Sequence, residues 1–300
     1  MIDSTPITIA LVTAKEARNL DEDLQPLELA LQQIGALVEI AEWDDVTIDW
    51  STFDAAVLRS TWDYSMRLPE FISWAEKVST QTTLLNPLPI LQWNIDKHYL
   101  AVLARANVPT VFTEFVEPHD DVAEKLSNFL THCPTKEIVV KPAIGSGSRD
   151  AQRHSRRDMT TISEHVERLV NAKRSVMLQP YLDRVDEDGE TALIFYNGRF
   201  SHAIRKGPLL RSGEGPTEGL FAPEEIEPRV PDSEQLRVAE QAVAAIPFPT
   251  PLYARVDLIR DNKGAPCVLE LELMEPSMFF AHAKGSADRF AAAIHTLLRQ

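Results

Sequence analysis

Apolar residues over the first hundred positions fall into short blocks that alternate between two periods. Residues 7–12 form a β-branched apolar run, and Leu24, Leu27, Leu31 and Ile34 then recur at the spacing of one helical face. Residues 37–40 and 55–58 read as two further strands. Strand, helix and strand at these intervals predict a parallel sheet with a right-handed crossover. Ligands on such sheets sit beyond the carboxyl ends of the strands, which points to the loops starting at Thr13 and at Arg59. The first loop, residues 13–17, contains no glycine. The tight turn that brings a pyrophosphate against a helix N-terminus is therefore missing, which disfavours a dinucleotide-binding Rossmann enzyme.

The pattern breaks at Asn86, Pro87 and Pro89, which puts a boundary near residue 90. A helix bearing Lys97, Leu100 and Leu103 is expected next. Residues 138–140 and 176–178 are strand candidates, separated by a glycine-containing loop and an amphipathic helix around Ile162 to Val170. Two hairpin signals follow: residues 192–196 join 200–204 through Asn197 and Gly198, and residues 253–259 join 267–273 through residues 261–264. Units of 1–92, 93–180 and 181–300 result, and 300 residues are indeed more than one hydrophobic core usually supports.

Composition narrows the function. An apolar fraction of 44% with 25% charged residues is ordinary for a globular chain. The formal charge of −15 opposes a polyanionic surface, so DNA and RNA are poor partners. A small phosphorylated molecule is still admissible, because local cations or Mg²⁺ can govern one pocket. Residues 1–6 carry no basic segment and the apolar run after them is too short for a signal core or a membrane span. A cytoplasmic location with no membrane partner is expected. Cys133 and Cys267 have neither CxxC spacing nor neighbours that suggest a disulfide framework or a zinc site. A homodimer is compatible with the sequence, which carries no signal for oligomeric state.

Candidate chemistry concentrates in residues 268–273, where alternation sets Glu270 and Glu272 on one strand face and the leucines on the other. Arg255 and Asp257 share a face of the partner strand. In the obvious hairpin register three carboxylates gather, at a cost unless a cation or a proton intervenes. A divalent metal resolves the conflict, since Mg²⁺ binds a few carboxylates and fills its other positions with water and phosphate oxygens. Taken alone, such a strand also describes a hairpin with its charged face in water. Upstream, a strand ends in Lys141 and opens into a loop of small residues, Gly145, Ser146, Gly147 and Ser148, whose backbone N–H groups can approach phosphate oxygens. The spacing is not that of a Walker A loop, and a flexible turn is the plainer reading. Gln179, Pro180, Tyr181 and Leu182 form a bend able to read an adenine edge, or an ordinary linker.

The order of these pieces is more specific than any one of them. Lys97, then Lys141 before the small-residue loop, the bend at Gln179, Glu190, Asp257, and Glu270-x-Glu272 together resemble the ATP-grasp superfamily over essentially the whole chain. Residues 59–64, 200–206 and 269–277 are similar to the subfamily that includes the D-cycloserine-forming synthetase. The resemblance implies an α/β ATP-grasp fold with an N-terminal Rossmann-like pre-ATP-grasp domain, a small central lid and a C-terminal antiparallel-sheet domain. It also implies an ATP-dependent carbon–nitrogen ligase that converts a small amino-acid carboxylate to an acyl phosphate for attack by nitrogen. O-ureido-D-serine is the favoured substrate. An amino-acid or peptide ligase of the glutathione-synthetase type, or a non-catalytic ATP-binding regulatory module, is the alternative.

Carried onto this sequence, the resemblance assigns Lys97 and Lys141 to the α- and β-phosphates and Gly145, Ser146, Gly147 and Ser148 to the γ-phosphate. Gln179, Pro180, Tyr181 and Leu182 would bracket adenine, Glu190 would hold the ribose, and Asp257, Glu270 and Glu272 would hold Mg²⁺. Glu272 departs from the superfamily's usual Glu-x-Asn, and Gln179 stands where a Glu is usual. Arg255 is the candidate for stabilising the oxyanion or holding the carboxylate, with a salt bridge to a metal ligand as the alternative. Arg205 and Lys206 are further catalytic candidates and precede residues 211–215, a loop read either as a cover over the acyl phosphate or as an exposed turn. Trp62, Asp63 and Tyr64, with Ser277, are expected to line the amino-acid pocket, although Trp62 also suits a core. His202 and His282 are candidate bases, though a lone histidine is more often structural.

Overall fold

The computed structural model describes residues 6–210, 220 and 225–299. Residues 211–215, read above as a cover, lie outside the described residues. The chain opens with β1 (Thr8–Thr13), α1 (Leu24–Gln33), β2 (Leu37–Glu42), β3 (Ala55–Ser60), α2 (Leu68–Ser79) and β4 (Thr83–Leu85). These strands form a parallel sheet in the order β2-β1-β3-β4, as the alternating periods predict. β1 and β3 are buried along nearly their whole length and carry continuous apolar runs, whereas the edge strand β2 alternates between exposed and half-buried positions.

Two short helices, α3 (Leu88–Asn94) and α4 (Tyr99–Arg105), lead into a second sheet. Lys97 was expected on a helix but lies in the turn between them, its backbone N–H donating to the Ala143 carbonyl at 3.0 Å. The second sheet comprises β5 (Glu114–Val116), β6 (Glu137–Pro142), β7 (Gln152–Ser155) and β8 (Val176–Pro180) in the order β5-β8-β6-β7. It is covered by α5 (Val122–His132) and α6 (Met159–Asn171), and their shared core, including Phe129, Ile138, Ile162, Val166 and Leu178, draws on this unit alone. Ile90, Tyr99, Leu100 and Leu103 instead pack with the C-terminal sheet. Apolar burial thus attaches α3 and α4 to the C-terminal unit, although the expected unit 93–180 includes α4.

After α7 (Val185–Asp188), the antiparallel sheet is built from β9 (Glu190–Tyr196), β10 (Arg199–Lys206), β11 (Ile226–Arg229), β12 (Tyr253–Arg260) and β13 (Pro266–Glu272), with α8 (Ser233–Ala244) between β11 and β12. Its order is β11-β10-β9-β12-β13, and both expected hairpins are present. Residues 109–111 cover the edge of β13: Val268 N–H donates to the Pro109 carbonyl at 2.8 Å, and Val111 N–H to the Val268 carbonyl at 3.0 Å. The last helix, α9 (Ser286–Leu298), returns to α1 and welds the first sheet to the third. Its Phe290 stacks on Tyr196 at 4.7 Å and meets Tyr253 edge-on at 5.6 Å. Asn86 makes a polar weld beside it, donating to the Tyr253 and Leu273 carbonyls and accepting from Leu252 N–H. Among the described residues no helix is long and apolar enough to cross a membrane.

Within the lid, His154 on β7 meets His165 on α6 at 3.0 Å between Nε2 and Nδ1. Burial lowers both pKa values, with His165 held at about 4, where the positive field of His154 and Arg168 adds to the effect. Both rings are neutral in the fold, while an unfolded histidine takes up a proton near pH 6.5. Their contribution to stability is therefore complete above about pH 6.5 and is lost as pH falls towards 4. Urea midpoints measured across this range should fall with pH in the native chain and fall much less in His165→Gln.

Candidate active site

A cavity of about 580 Å³ lies where the three units meet. The lid contributes Lys141, residues 145–148, and Gln179, Pro180, Tyr181 and Leu182. From the antiparallel sheet come Glu190, Lys206, Arg255, Glu270 and Glu272, and beyond it Ser277 and His282. The N-terminal unit adds Trp62, Tyr64 and residues 20–23. Strand register creates the charged wall: Arg255 pairs across the β12–β13 ladder with Glu272, and Asp257 pairs with Glu270. Alternation places all four on one face, opposite Val256, Leu258 and Leu271 in the core.

Each acid on this wall is engaged by a cation. Lys97 Nζ lies 3.0 Å from Glu270, and Lys206 Nζ lies 2.7 Å from Asp257 and 3.0 Å from Glu190. Arg255 grips Asp257 through Nε at 2.9 Å and Nη2 at 3.0 Å, and also binds Glu272. Burial alone would push every carboxyl here upward. For Asp257, Arg255 and Lys206 outweigh it and hold the pKa at about 2. For Glu270 the same burial is overcome by Lys97 and Lys141, and its pKa falls. Glu272 is pushed up to about 7, because burial and the fields of Glu270 and Asp257 exceed the pull of Arg255. The lysines divide: burial lowers Lys141 despite Glu270, whereas Glu270, Glu272 and Glu275 overcome burial at Lys97 and raise it.

The expected gathering of three carboxylates takes a different form. Asp257 is 1% exposed and lies beneath Arg255 and Lys206. Among the described residues no three His, Cys, Asp or Glu groups converge in a way that could hold a metal. The physical reason is charge: unscreened acids on facing strands draw in the nearest cations. Glu270 and Glu272 nevertheless suit Mg²⁺, being hard oxygen donors that line the cavity, and the upward shift of Glu272 marks negative charge that a divalent ion would neutralise. Asp257 fits only if Lys206 moves aside.

The small-residue loop is docked rather than splayed. Lys97 Nζ donates to the Gly145 carbonyl at 2.9 Å, and Ser146 Oγ donates to the Trp62 carbonyl at 2.8 Å and meets Ser65 Oγ at 2.9 Å. Gly147 and Ser148 both take left-handed backbone, with φ of 61° and 60°. At the far end, the Gln179 side-chain amide donates to Thr113 Oγ1 at 2.8 Å, and Arg153 stacks on Tyr181 at 3.5 Å.

Several expected site residues fall elsewhere. Arg205 neighbours Lys206 on β10, so strand alternation turns it away, and it donates to the Asp188 and Glu187 carbonyls instead. Asp63 is outside the cavity, accepting from Trp43 Nε1 at 2.9 Å and pairing with Arg67. His202 is buried and donates to the Met278 carbonyl at 2.7 Å, which makes it structural. Trp62 does both things considered for it, lining the cavity while its Nε1 donates to the Glu275 carbonyl at 3.2 Å.

The N-terminal unit and the helices that follow it also supply groups that sequence reasoning missed. Asp23 sits at the N-cap position of α1 yet makes no capping bond there. Its carboxylate accepts from Met278 N–H at 2.6 Å, Phe279 N–H at 2.9 Å and Phe280 N–H at 2.8 Å. This clamp holds Phe279 at φ 55°, a left-handed conformation costly for a bulky residue. Arg59, 0% exposed, donates to the Pro276 carbonyl at 2.8 Å. Asn94 pins Leu271 and Leu273, and the Tyr99 hydroxyl accepts from Leu271 N–H. A charged residue inside the apolar run of β3 was the one available signal, and it did not reveal its partner.

Comparison with known proteins agrees with this geometry. Residues 9–86 match the family described as the N-terminal domain of D-cycloserine synthetase DcsG. The cycloserine biosynthesis protein DcsG of Streptomyces lavendulae is 40% identical over 299 residues, spanning 97% of this chain and 99% of that protein. The crystal structure of D-cycloserine synthetase DcsG superposes with a TM-score of 0.92 at 39% identity, over 97% of this chain and 99% of the other. The ATP-grasp ligase PsnB, solved with a phosphomimetic variant of its minimal precursor, Mg and ADP, shares the fold at a TM-score of 0.65 and 16% identity, over 97% and 99% of the two chains. Fold and site thus define an ATP-grasp enzyme, an ATP-dependent carbon–nitrogen ligase. Within that class the chain belongs to the D-cycloserine synthetase family.

The clamp at Asp23 yields a direct expectation. Replacing it with Ala strips three N–H groups of a charged acceptor and should lower unfolding free energy by about 3 kcal/mol, measured by denaturant titration. Asp23→Asn, which keeps one acceptor oxygen, should lose less.

Proposed function

We propose that this enzyme closes the isoxazolidinone ring of D-cycloserine from O-ureido-D-serine, with ATP as phosphoryl donor and Mg²⁺ as metal. The observation that carries the reading is the array of cations and carboxylates joining Lys97 and Lys141 to Glu270 and Glu272 at one end of a cavity whose other end is the bend at Gln179. ATP would lie along that axis. The backbone of Gln179, Pro180, Tyr181 and Leu182 would hold its adenine, Glu190 its ribose, and Lys97, Lys141 and the residues 145–148 loop its phosphates. Glu270 and Glu272, joined by Asp257 if Lys206 moves aside, would hold Mg²⁺, which would supply neutralisation of the phosphate charge.

Phosphoryl transfer needs positioning and charge neutralisation more than covalent assistance from the protein. Lys141, whose pKa burial lowers, gains from a phosphate neighbour and binds it as a cation. Docked on Trp62, the loop bearing Ser146 excludes water from the transferring group. Arg255, held in place by Asp257, offers the cavity a guanidinium for the substrate carboxylate and for the oxyanion formed when the substrate's nitrogen attacks the acyl phosphate. Phosphate departs as the carbon–nitrogen bond forms, and the carbamoyl group then leaves the same nitrogen as isocyanic acid, one of its amide protons passing to the ring nitrogen. Lys206, buried between Asp257 and Glu190, sets the charge balance beneath the nucleotide. Trp62, Tyr64 and Ser277 face the substrate.

ADP release by purified protein should depend on Mg²⁺ and be stimulated by O-ureido-D-serine in preference to other amino acids and dipeptides. Glu270→Gln should lower kcat by at least about 100-fold, and hydroxylamine should trap a hydroxamate only in the presence of ATP. Nucleotide binding without turnover on any carboxylic acid would overturn the reading.

A further inference from the structure

Residues 20–23, in the segment between β1 and α1, form a wall of the cavity that the nucleotide and metal chemistry leaves unused. Asp21 is the unusual member. It is only 8% exposed, it lines the cavity, and its Oδ1 accepts from Asp23 N–H at 2.9 Å. Its Oδ2 is buried with no hydrogen-bond partner among the described residues. A buried carboxylate oxygen left in this state is destabilising, and a ligand that brings an N–H donor relieves the penalty.

Local charge specifies what that donor is. Two buried carboxylates, Asp21 and Asp23, face one buried guanidinium, Arg59. Arg59 is committed to the Pro276 carbonyl, and Asp23 is saturated by three backbone N–H groups. Asp21 is left with an unsatisfied acceptor oxygen, and the two carboxylates with one guanidinium carry one net negative charge, which a cation suits better than a neutral hydroxyl. Burial raises its pKa and the field of Asp23 adds to this, against the larger pull of Arg59 and smaller pulls from the Asp23 N–H and the nearby Ser60 hydroxyl. The turn clamped by Asp23 runs through Phe279, whose ring lies 5.6 Å from the Arg255 guanidinium. Arg255 also donates to the Ser277 carbonyl at 3.3 Å. The wall bearing Asp21 thus adjoins the turn that bounds Arg255, at the substrate end of the cavity.

We infer that Asp21 is a substrate-specificity residue that receives the primary ammonium group of the amino-acid substrate while Arg255 receives its carboxylate. This rests on the ligase reading above and adds a requirement to it: the substrate is a zwitterionic amino acid, recognised through both charges, and not merely a carboxylic acid.

The test compares amine-bearing acids with their deaminated counterparts, O-ureido-D-serine against 3-(ureidooxy)propanoate and each further amino acid against its own. Steady-state kinetics and calorimetric binding in the presence of Mg²⁺ and a non-hydrolysable ATP analogue are measured for the native chain, Asp21→Asn and Asp21→Glu. The native enzyme should favour the amine-bearing member by roughly 100-fold. Asp21→Asn should reduce that preference to about 10-fold or less, mainly through KM, with the deaminated compound and the ATP analogue bound as before. Asp21→Glu should restore part of the preference. Equal losses on both members would mark Asp21 as merely structural, and an undiminished preference in Asp21→Asn, or none in the native chain, would overturn the inference. If a different amino acid is the substrate, the O-ureido-D-serine assignment falls, while Asp21 is judged on that acid and its counterpart. If no amino acid binds, both fall together.

Discussion

The structure depends on one electrostatic constraint: four acids and four cations share a buried wall and must neutralise one another. An unpaired ion in such surroundings costs several kcal/mol, so each carboxylate recruits a partner, and the partners come from three different parts of the chain. Lys97 arrives from the turn before α4, Lys141 from the lid, and Lys206 and Arg255 from β10 and β12. The balance is incomplete at Glu272 and at Lys141, where burial still outweighs the partner charges. Those two groups are where a divalent cation and a phosphate, respectively, would find the wall already arranged for them.

Apolar burial and polar pinning divide the remaining labour. α9 and Asn86 weld the first sheet to the third, and Asp23, Arg59 and Trp62 hold the turn that follows β13. The end of the cavity lined by Trp62, Asp23 and Ser277 is therefore built by two units acting as one body. The lid has a core of its own and meets the N-terminal unit through hydroxyl and carbonyl contacts at Ser146 and Tyr64 and through Ile144, which packs against that unit's core.

Much of the fold was legible in the sequence because it is written in local periods. The strands at residues 7–12 and 55–58, the helix near Ile162, and the hairpin at Asn197 and Gly198 follow from side-chain alternation, helical spacing and turn chemistry, none of which needs a distant partner. The same alternation put Arg255, Asp257, Glu270 and Glu272 on one face in the observed register. Where it was overlooked, at Arg205 beside Lys206, the assignment failed for that reason.

What the sequence by itself determined was the parallel sheet, the two hairpins and which side chains share the charged face, because each is set by neighbours a few residues away. Tertiary structure alone decided that Asp257 lies under two cations, that Asp63 belongs to Trp43 and Arg67, and that Asp23 clamps a turn about 255 residues later in the chain. These outcomes are settled by which charge or N–H group lies nearest in three dimensions. The strength of a hydrogen bond or an ion pair depends on distance and burial, and neither is encoded in separation along the chain.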